Sequence, residues 1–431
     1  MVDVIVRKAE RLGGTVDAPP SKSYTQRMVI AAALSEGTSL ITNPLYSQDT
    51  EAALRAVTAL GADFRSGDGC WQIKGALPLH AAEEPIDCGE SGATLRFMIP
   101  VVALADGPST LLFRGSLERR PVDPLLNSLK DLGAEARVGK AGELDAVFVE
   151  GGGVVGGKTS MAGDVSSQFI SGLMFACPLA GSETEITLTS PLESADYVKM
   201  TDAVLSEHAV VVEVEDRHIL IPGGQTYKAT DGAVPGDFSS AALLLAAAAI
   251  TNSKVTVSNL DYESVQGDKA ILTVLKSMGV EGRVCRGGVE IAGTGKPLKP
   301  VALDARNVPD IVPAIAVLAC YAEGTSHITG VKRLRLKESD RLLTIYEELS
   351  KMGANISITE DSLTIKGTPL HGAIVDPHND HRIAMAAAVA ALGAQGKTTI
   401  TDFQCIRKSY PQFLTHLKQI GAEVVGGKLD R

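Results

Sequence analysis

Four charges fall within five positions in Leu336-Lys-Glu-Ser-Asp-Arg-Leu342. On a helix Lys337 and Arg341, four residues apart, would face one way, with Glu338 on the adjacent edge. Asn379-Asp-His-Arg-Ile-Ala-Met385 sets Asp380, His381 and Arg382 at the mouth of an apolar helix, where leaving a charge unused costs more than on a surface. Asp310, after Val308-Pro309, stands before another apolar helix and reads as an N-cap or a base. Three helix starts in the N-terminal half could seat anions. They are Pro20-Ser-Lys-Ser-Tyr-Thr-Gln-Arg27, Cys88-Gly-Glu-Ser-Gly-Ala-Thr-Leu-Arg96 and Gly163-Asp-Val-Ser-Ser-Gln168. Free backbone N–H groups and the positive end of the helix dipole suit phosphate or carboxylate there. Ordinary capping by serine or aspartate is the alternative at each.

Other motifs lead away from chemistry. Gly152-Gly-Val-Val-Gly-Gly157-Lys158-Thr159 satisfies the P-loop pattern, but that mechanism needs a helix directly after Lys-Thr. Met161-Ala-Gly-Asp164 reads instead as an extended piece and a turn, and the glycines as a hairpin turn. His378 and His381 lack a third ligand at metal-site spacing, so no metal is expected. The six cysteines are scattered singly, without a Cys-x-x-Cys pair, as in a protein of a reducing compartment. With 51 acidic and 41 basic residues the net charge is −10, a poor balance for holding a nucleic-acid backbone. The N-terminus meets charge too early for a signal peptide, and the apolar run 241–250 is about half a membrane span. A soluble, cytoplasmic protein is expected, with no membrane or nucleic-acid partner.

The elements that must position these residues repeat. Leu54–Ser66, Leu126–Val138, Leu272–Val284, Tyr346–Ile358 and Leu414–Gly426 share a helical stretch, a glycine, a small residue and then alternating apolar positions. Each reads as an amphipathic helix ended by a glycine with positive φ, followed by a strand. A degenerate copy, Ala203–Glu215, has His208 in the glycine's place. Positions 61, 133, 208, 279, 353 and 421 are spaced by 72, 75, 71, 74 and 68 residues, giving six αβ units. A second, alanine-rich helix recurs in each: 23–35, 92–105, 167–180, 239–250, 310–323 and 380–392. Helices apolar all round belong inside a ring of sheets. Six units suggest two groups of three. The crossings fall near Ala18-Pro19-Pro20 and in the polar stretch 226–238, so the first strand joins the C-terminal half.

In order along nearly the whole chain, Ser21-Lys-Ser23, Arg119-Arg-Pro121, Val165-Ser-Ser-Gln168, Lys337-Glu-Ser-Asp-Arg341, Asp380-His-Arg382 and Lys408 resemble the 5-enolpyruvylshikimate-3-phosphate (EPSP) synthases. The resemblance implies an α/β fold, a two-domain inside-out α/β barrel of six repeated βαβαββ units, three per domain. Domain I would comprise 1–19 and 235–431 and domain II 20–234, with the active site in the cleft between them. The implied reaction joins shikimate-3-phosphate to phosphoenolpyruvate and releases phosphate through a tetrahedral intermediate, with no cofactor. This is a shikimate-pathway step and the target of glyphosate.

By the same resemblance Lys22, Ser23, Arg27, Ser166, Ser167, Gln168, Ser190, Tyr197, Asp310 and Lys337 would hold shikimate-3-phosphate. Lys22, Gly92, Arg120, Gln168, Arg341, Arg382 and Lys408 would hold phosphoenolpyruvate. Asp310 would be the base for the 5-hydroxyl and Glu338 the acid for the enol methylene, with Lys22 sharing proton transfer. Acid and base are needed on either side of the intermediate because an enol ether is a poor electrophile until protonated. Glu90, Ala93 and Arg333 depart from the common family residues. The implied enzyme is a monomer. Two other readings remain: the sister UDP-N-acetylglucosamine enolpyruvyl transferase, whose loop cysteine is absent from Gly115–Pro124, and a non-catalytic repeat scaffold or clamp.

Overall fold

A computed structural model describes residues 2–285 and 287–426. Met1 of the charged N-terminus and residues 427–431 of the expected domain I lie outside the described residues. The chain divides into two compact units. Unit 1 is formed by residues up to Pro20 and from Pro235 onward, and unit 2 by Ser21–Val234. Each has its own apolar core.

Among the described residues twelve α-helices alternate in character: α1 (Lys22–Ala33), α2 (Gln48–Ala59), α3 (Gly92–Val102), α4 (Asp123–Asp131), α5 (Ser167–Ala176), α6 (Ala195–Glu207), α7 (Phe238–Ile250), α8 (Ala270–Ser277), α9 (Val312–Cys320), α10 (Arg341–Lys351), α11 (His381–Gly393) and α12 (Phe413–Gln419). The odd-numbered helices are the mostly buried ones, and α7, α9 and α11 are rich in alanine. Every residue of α9 is buried, as are all but the last residues of α7 and α11. Such helices can only be enclosed. In unit 1, α7, α9 and α11 pack on one another and against strands of the surrounding sheets. The even-numbered helices bury one stripe; α4, for example, buries Leu125, Leu126, Ser128 and Leu129.

Six four-stranded sheets share one strand order and remain separate from one another, so no single sheet closes round the helices. In each, an edge strand runs parallel to a central strand, whose other neighbour is antiparallel and carries the outermost strand. The crossings exchange strands between repeats. Thr38–Thr42 takes Gly232–Ala233 as its parallel neighbour, from the end of unit 2. Lys254–Ser258 takes Gly13–Asp17. Val4–Arg7 lies between Lys397–Ile400 and Val424–Gly426 and completes the last sheet. At the crossing itself Pro20 bridges Gly236, and the Asp237 N–H donates to Pro19 O at 2.8 Å. A Cβ at Gly236 would meet Asn259 O at 1.7 Å, so only glycine admits this approach.

Gly61, Gly133, Gly279, Gly353 and Gly421 all end their helices with φ between +84° and +104°. The sixth copy differs from the sequence reading by one position. His208 is the C-cap with φ −89°, and Ala209, at φ +61°, stands where the others have glycine. His208 is buried, with Nδ1 2.8 Å from Ser35 Oγ and 2.9 Å from Lys228 O, and burial holds its pKa below the ordinary value. A left-handed alanine costs about 1–2 kcal/mol. Ala209→Gly is therefore expected to stabilise unit 2 by about 1 kcal/mol, because glycine's larger unfolded-state entropy offsets part of the gain. Denaturant melts of the two proteins check this; an unchanged midpoint counts against it.

The P-loop pattern has no phosphate-binding helix. Lys158 and Thr159 lie in the strand Gly157–Met161, parallel to Thr184–Leu188, and Lys158 pairs with Glu185 at 2.6 Å. The glycines connect two sheets rather than turning a hairpin, because Leu144–Val149 pairs elsewhere. No helix among the described residues is long and apolar enough to cross a membrane.

Candidate active site

In unit 2 the polar groups gather where α1, α3 and α5 begin. Ser21, Ser91 and Ser166 cap these helices, each accepting from a backbone N–H of its own first turn. Lys22 Nζ lies 2.7 Å from Asp49 Oδ2, and Gln26 Nε2 donates to Asp49 O, Ser91 Oγ and Thr94 Oγ1 at 3.0–3.1 Å. Arg27 is 2% exposed. It donates to Thr201 Oγ1 at 2.8 Å, Ser23 O at 2.9 Å and Tyr197 O at 3.1 Å, and its guanidinium lies over the Phe97 and Tyr197 rings. All of these partners are uncharged, and burial pulls its pKa down to about 10. A buried guanidinium without a carboxylate is costly, and an anion beside it would offset that cost.

Gly92, the first residue of α3, makes room for a second cation: a Cβ there would stand 2.9 Å from Arg120 Nη1. Among the described residues Arg120 has no carboxylate partner. Arg96 Nη1 donates to Gln168 Oε1 at 2.7 Å and Nη2 to Pro121 O at 3.2 Å, tying α3 to α5 and to the Arg120 segment. Ser166 and Ser167 are buried beside Gln168 at the start of α5. Ser190 is differently engaged. Its hydroxyl donates to Asp164 Oδ1 at 2.6 Å and accepts from Gly163 N and Asp164 N, so it builds the 163–164 turn.

Unit 1 gathers a second set. Arg341, the first residue of α10, is 1% exposed and touches three carboxylates: Asp310 at 2.9 Å, Asp380 at 2.8 Å and Glu338 at 2.5 Å. Lys337 does not share a helix with Arg341. It closes the 3₁₀ turn Lys332–Leu336 in an extended conformation, Asp340 caps α10, and the two cations converge on Asp310 instead. Asp310 lies in the turn Pro309–Ile311 before α9, with Arg382 Nη2 3.8 Å away. Asp380 is fully buried, caps α11, and accepts from the Ser339 and Arg382 N–H groups. Lys408 Nζ donates to Asn379 O at 2.8 Å. Burial lowers the Lys337 pKa to about 8 despite the neighbouring Asp310.

Sequence reading missed three of these groups. Asp49, the partner of Lys22, lies in an unremarkable helix start. Arg96, within one of the helix starts read from the sequence, holds Gln168, which that motif alone does not announce. Asp268 is 3% exposed, receives the Ser239 hydroxyl, and has its pKa pushed up to about 7 by burial and by Asp310, with Arg382 opposing. No local pattern marks Asp268; the charges that act on it stand about 40 and 115 residues later in the sequence.

Set beside known proteins, the chain matches over residues 6–417 the family described as EPSP synthase (3-phosphoshikimate 1-carboxyvinyltransferase). It is 40% identical to the 3-phosphoshikimate 1-carboxyvinyltransferase of Methanocaldococcus jannaschii over 425 residues, 98% of this chain and 99% of that one. The protein of the same name from Methanocella arvoryzae is 42% identical over 412 residues, covering 95% and 97%. An EPSP synthase structure from Acinetobacter baumannii superposes with a TM-score of 0.82 at 27% identity, over 99% of this chain and all of that one.

Proposed function

The chain belongs to the EPSP synthase family, and on that premise we propose how its two residue sets divide the family's reaction. The enzyme transfers the enolpyruvyl group of phosphoenolpyruvate to the 5-hydroxyl of shikimate-3-phosphate and releases phosphate. Unit 2 supplies most of the shikimate-3-phosphate seat, namely Lys22, Ser23, Arg27, Ser166, Ser167, Gln168 and Tyr197, and Lys337 of unit 1 adds a cation to it. The observation that carries this is Arg27, buried among uncharged groups and aromatic rings at the start of α1. The bound hydroxyl of Ser190 gives it a supporting rather than a direct part.

Phosphoenolpyruvate falls to Arg120, Arg341, Arg382 and Lys408, with Lys22 and Gln168 shared. Bidentate guanidinium–oxyanion pairing suits both its phosphate and its carboxylate. The backbone of Gly92 lies close to Arg120, where a side chain would displace that guanidinium. Asp310 takes the 5-hydroxyl proton, and Glu338 protonates the methylene and later recovers that proton. Lys22 shares proton transfer with Asp49 as its partner. Arg341 holds Glu338 as an acceptor. An arriving phosphate or carboxylate competes for Arg341 and releases Glu338 to take up the proton it must deliver. The reading requires both units to serve one substrate pair. A cytoplasmic monomer suffices: one chain carries the whole set, and its six free cysteines suit a reducing compartment.

Phosphate release on mixing the purified protein with phosphoenolpyruvate and shikimate-3-phosphate is the direct test. Release with UDP-N-acetylglucosamine but not with shikimate-3-phosphate overturns the reading. A pH experiment tests Lys337. Its ammonium, with a pKa of about 8, is neutralised as pH rises, while an anionic ligand favours the charged form. Shikimate-3-phosphate affinity should fall by up to about tenfold per pH unit above pH 8, and Lys337→Arg should flatten the profile. Folding alone shows the opposite sign. The unfolded lysine keeps its proton to about 10.5, so between pH 8 and 10.5 this group makes the fold more stable as pH rises.

A further inference from the structure

Glu348 is a carboxylate that the reaction above leaves unused, yet it is 2% exposed on α10. It lies seven residues after Arg341, on the same helix face. Lys351 Nζ donates to both of its oxygens, at 2.7 and 2.8 Å. Its other two contacts go to the loop before α11. The Asp376 N–H donates to Oε2 at 2.9 Å, and His378 Nε2 lies 3.2 Å from Oε1. Arg341 grips the far end of the same loop through Asp380. Between the two grips the backbone is strained: His378 and Asn379 are consecutive non-glycine residues in the left-handed region, at φ +51° and +56°. Such a conformation persists only where its surroundings impose it. This loop carries Asn379 O, which receives Lys408 Nζ, and Asp380, which receives Arg341 and the Arg382 N–H.

We propose that Glu348 is a positioning residue for phosphoenolpyruvate: together with Arg341 it clasps residues 376–380 at both ends, so that Asn379 and Asp380 hold Lys408, Arg341 and Arg382 in register. The proposal rests on assigning those three cations to phosphoenolpyruvate. Glu348 contacts none of them directly. It acts through the loop, and its removal lets the left-handed pair relax and the Asn379 carbonyl swing away from Lys408. The Lys351 ammonium already lies against both carboxylate oxygens, so the group needs no external cation to be neutralised.

Steady-state kinetics of the full-length enzyme decide this. Glu348→Gln keeps the side-chain shape but weakens the charge-assisted contacts. It is expected to raise KM for phosphoenolpyruvate about tenfold while leaving the dissociation constant for shikimate-3-phosphate within about twofold. Lys408→Ala should raise the same KM. The double variant should be affected less than the product of the two single effects, because both act through one loop. An effect that multiplies in full, or that weakens shikimate-3-phosphate binding equally, indicates a merely structural role and overturns the proposal. A raised KM in Lys408→Ala beside an unchanged KM in Glu348→Gln also overturns the clasp and leaves the substrate assignment standing. An unchanged KM in Lys408→Ala removes the assignment and the proposal with it. Should Glu348→Gln fail to fold, His378→Ala cuts one grip at a partly exposed side chain. It is expected to raise the KM about threefold, and no change there is equally decisive against the clasp.

Discussion

Glu338→Gln is expected to lower kcat by about 10²- to 10⁴-fold, while KM for phosphoenolpyruvate stays level or falls. The amide keeps the size of the side chain and an acceptor for Arg341, so packing around the start of α10 is preserved. What disappears is the ability to give and recover a proton. The KM follows from Arg341, which the native protein shares among Asp310, Glu338 and Asp380. Neutralising one of the three leaves the guanidinium freer for the incoming anion. Shikimate-3-phosphate binding, assigned to other residues, should change less than threefold. Stopped-flow or coupled phosphate assays supply kcat and KM, and fluorescence or calorimetry supplies the binding constant. Unchanged turnover would remove Glu338 from the mechanism.

Arg27→Met should weaken shikimate-3-phosphate binding about a hundredfold or more without lowering the melting temperature of the free enzyme. Burial pulls the Arg27 pKa down to about 10, so the folded protein keeps the charge at a cost the unfolded chain does not bear. Methionine fills much of the same volume against Phe97 and Tyr197 without that cost. The carbonyls of Ser23 and Tyr197 belong to helices α1 and α6, so losing Arg27 does not strip them of a place in the backbone ladder. The melting temperature is expected to stay within about 4 °C or to rise. Unchanged affinity, or phosphoenolpyruvate affected more than shikimate-3-phosphate, would reverse the assignment of α1.

The legible parts of the molecule were those in which local chemistry and tertiary role coincide. Alanine-rich stretches could only be enclosed helices, and helix-ending glycines carry positive φ whatever surrounds them. The sixth repeat misled by one residue because an alanine occupies the left-handed position, which no local pattern announces. Strands as short as Ile86–Asp87, Gly232–Ala233 and Ile374–Val375 exist only because a neighbour completes them, so periodicity could not reveal them. The charged segments were visible, but their pairing was not. Helical spacing set Lys337 beside Arg341, whereas an extended residue and a new cap separate them and a third residue, Asp310, unites them. Asp49, Asp268 and Glu348 stayed hidden because each acquires its role from segments far along the chain.

The strand exchange at the crossings fixes the order in which a ribosome could deliver a finished molecule. Unit 2 is continuous, and its last strand, Gly232–Ala233, emerges before any helix of the other unit. Val4–Arg7 is made long before its partners, Lys397–Ile400 and Val424–Gly426. At roughly 5–20 residues per second, those partners arrive some tens of seconds later. Through that interval the leading strands expose backbone donors and apolar side chains that another nascent chain could capture. Unit 2 should therefore be protease-resistant on the ribosome while the segment ending at Pro20 remains cleavable, and unit 1 should be the part that calls on chaperones.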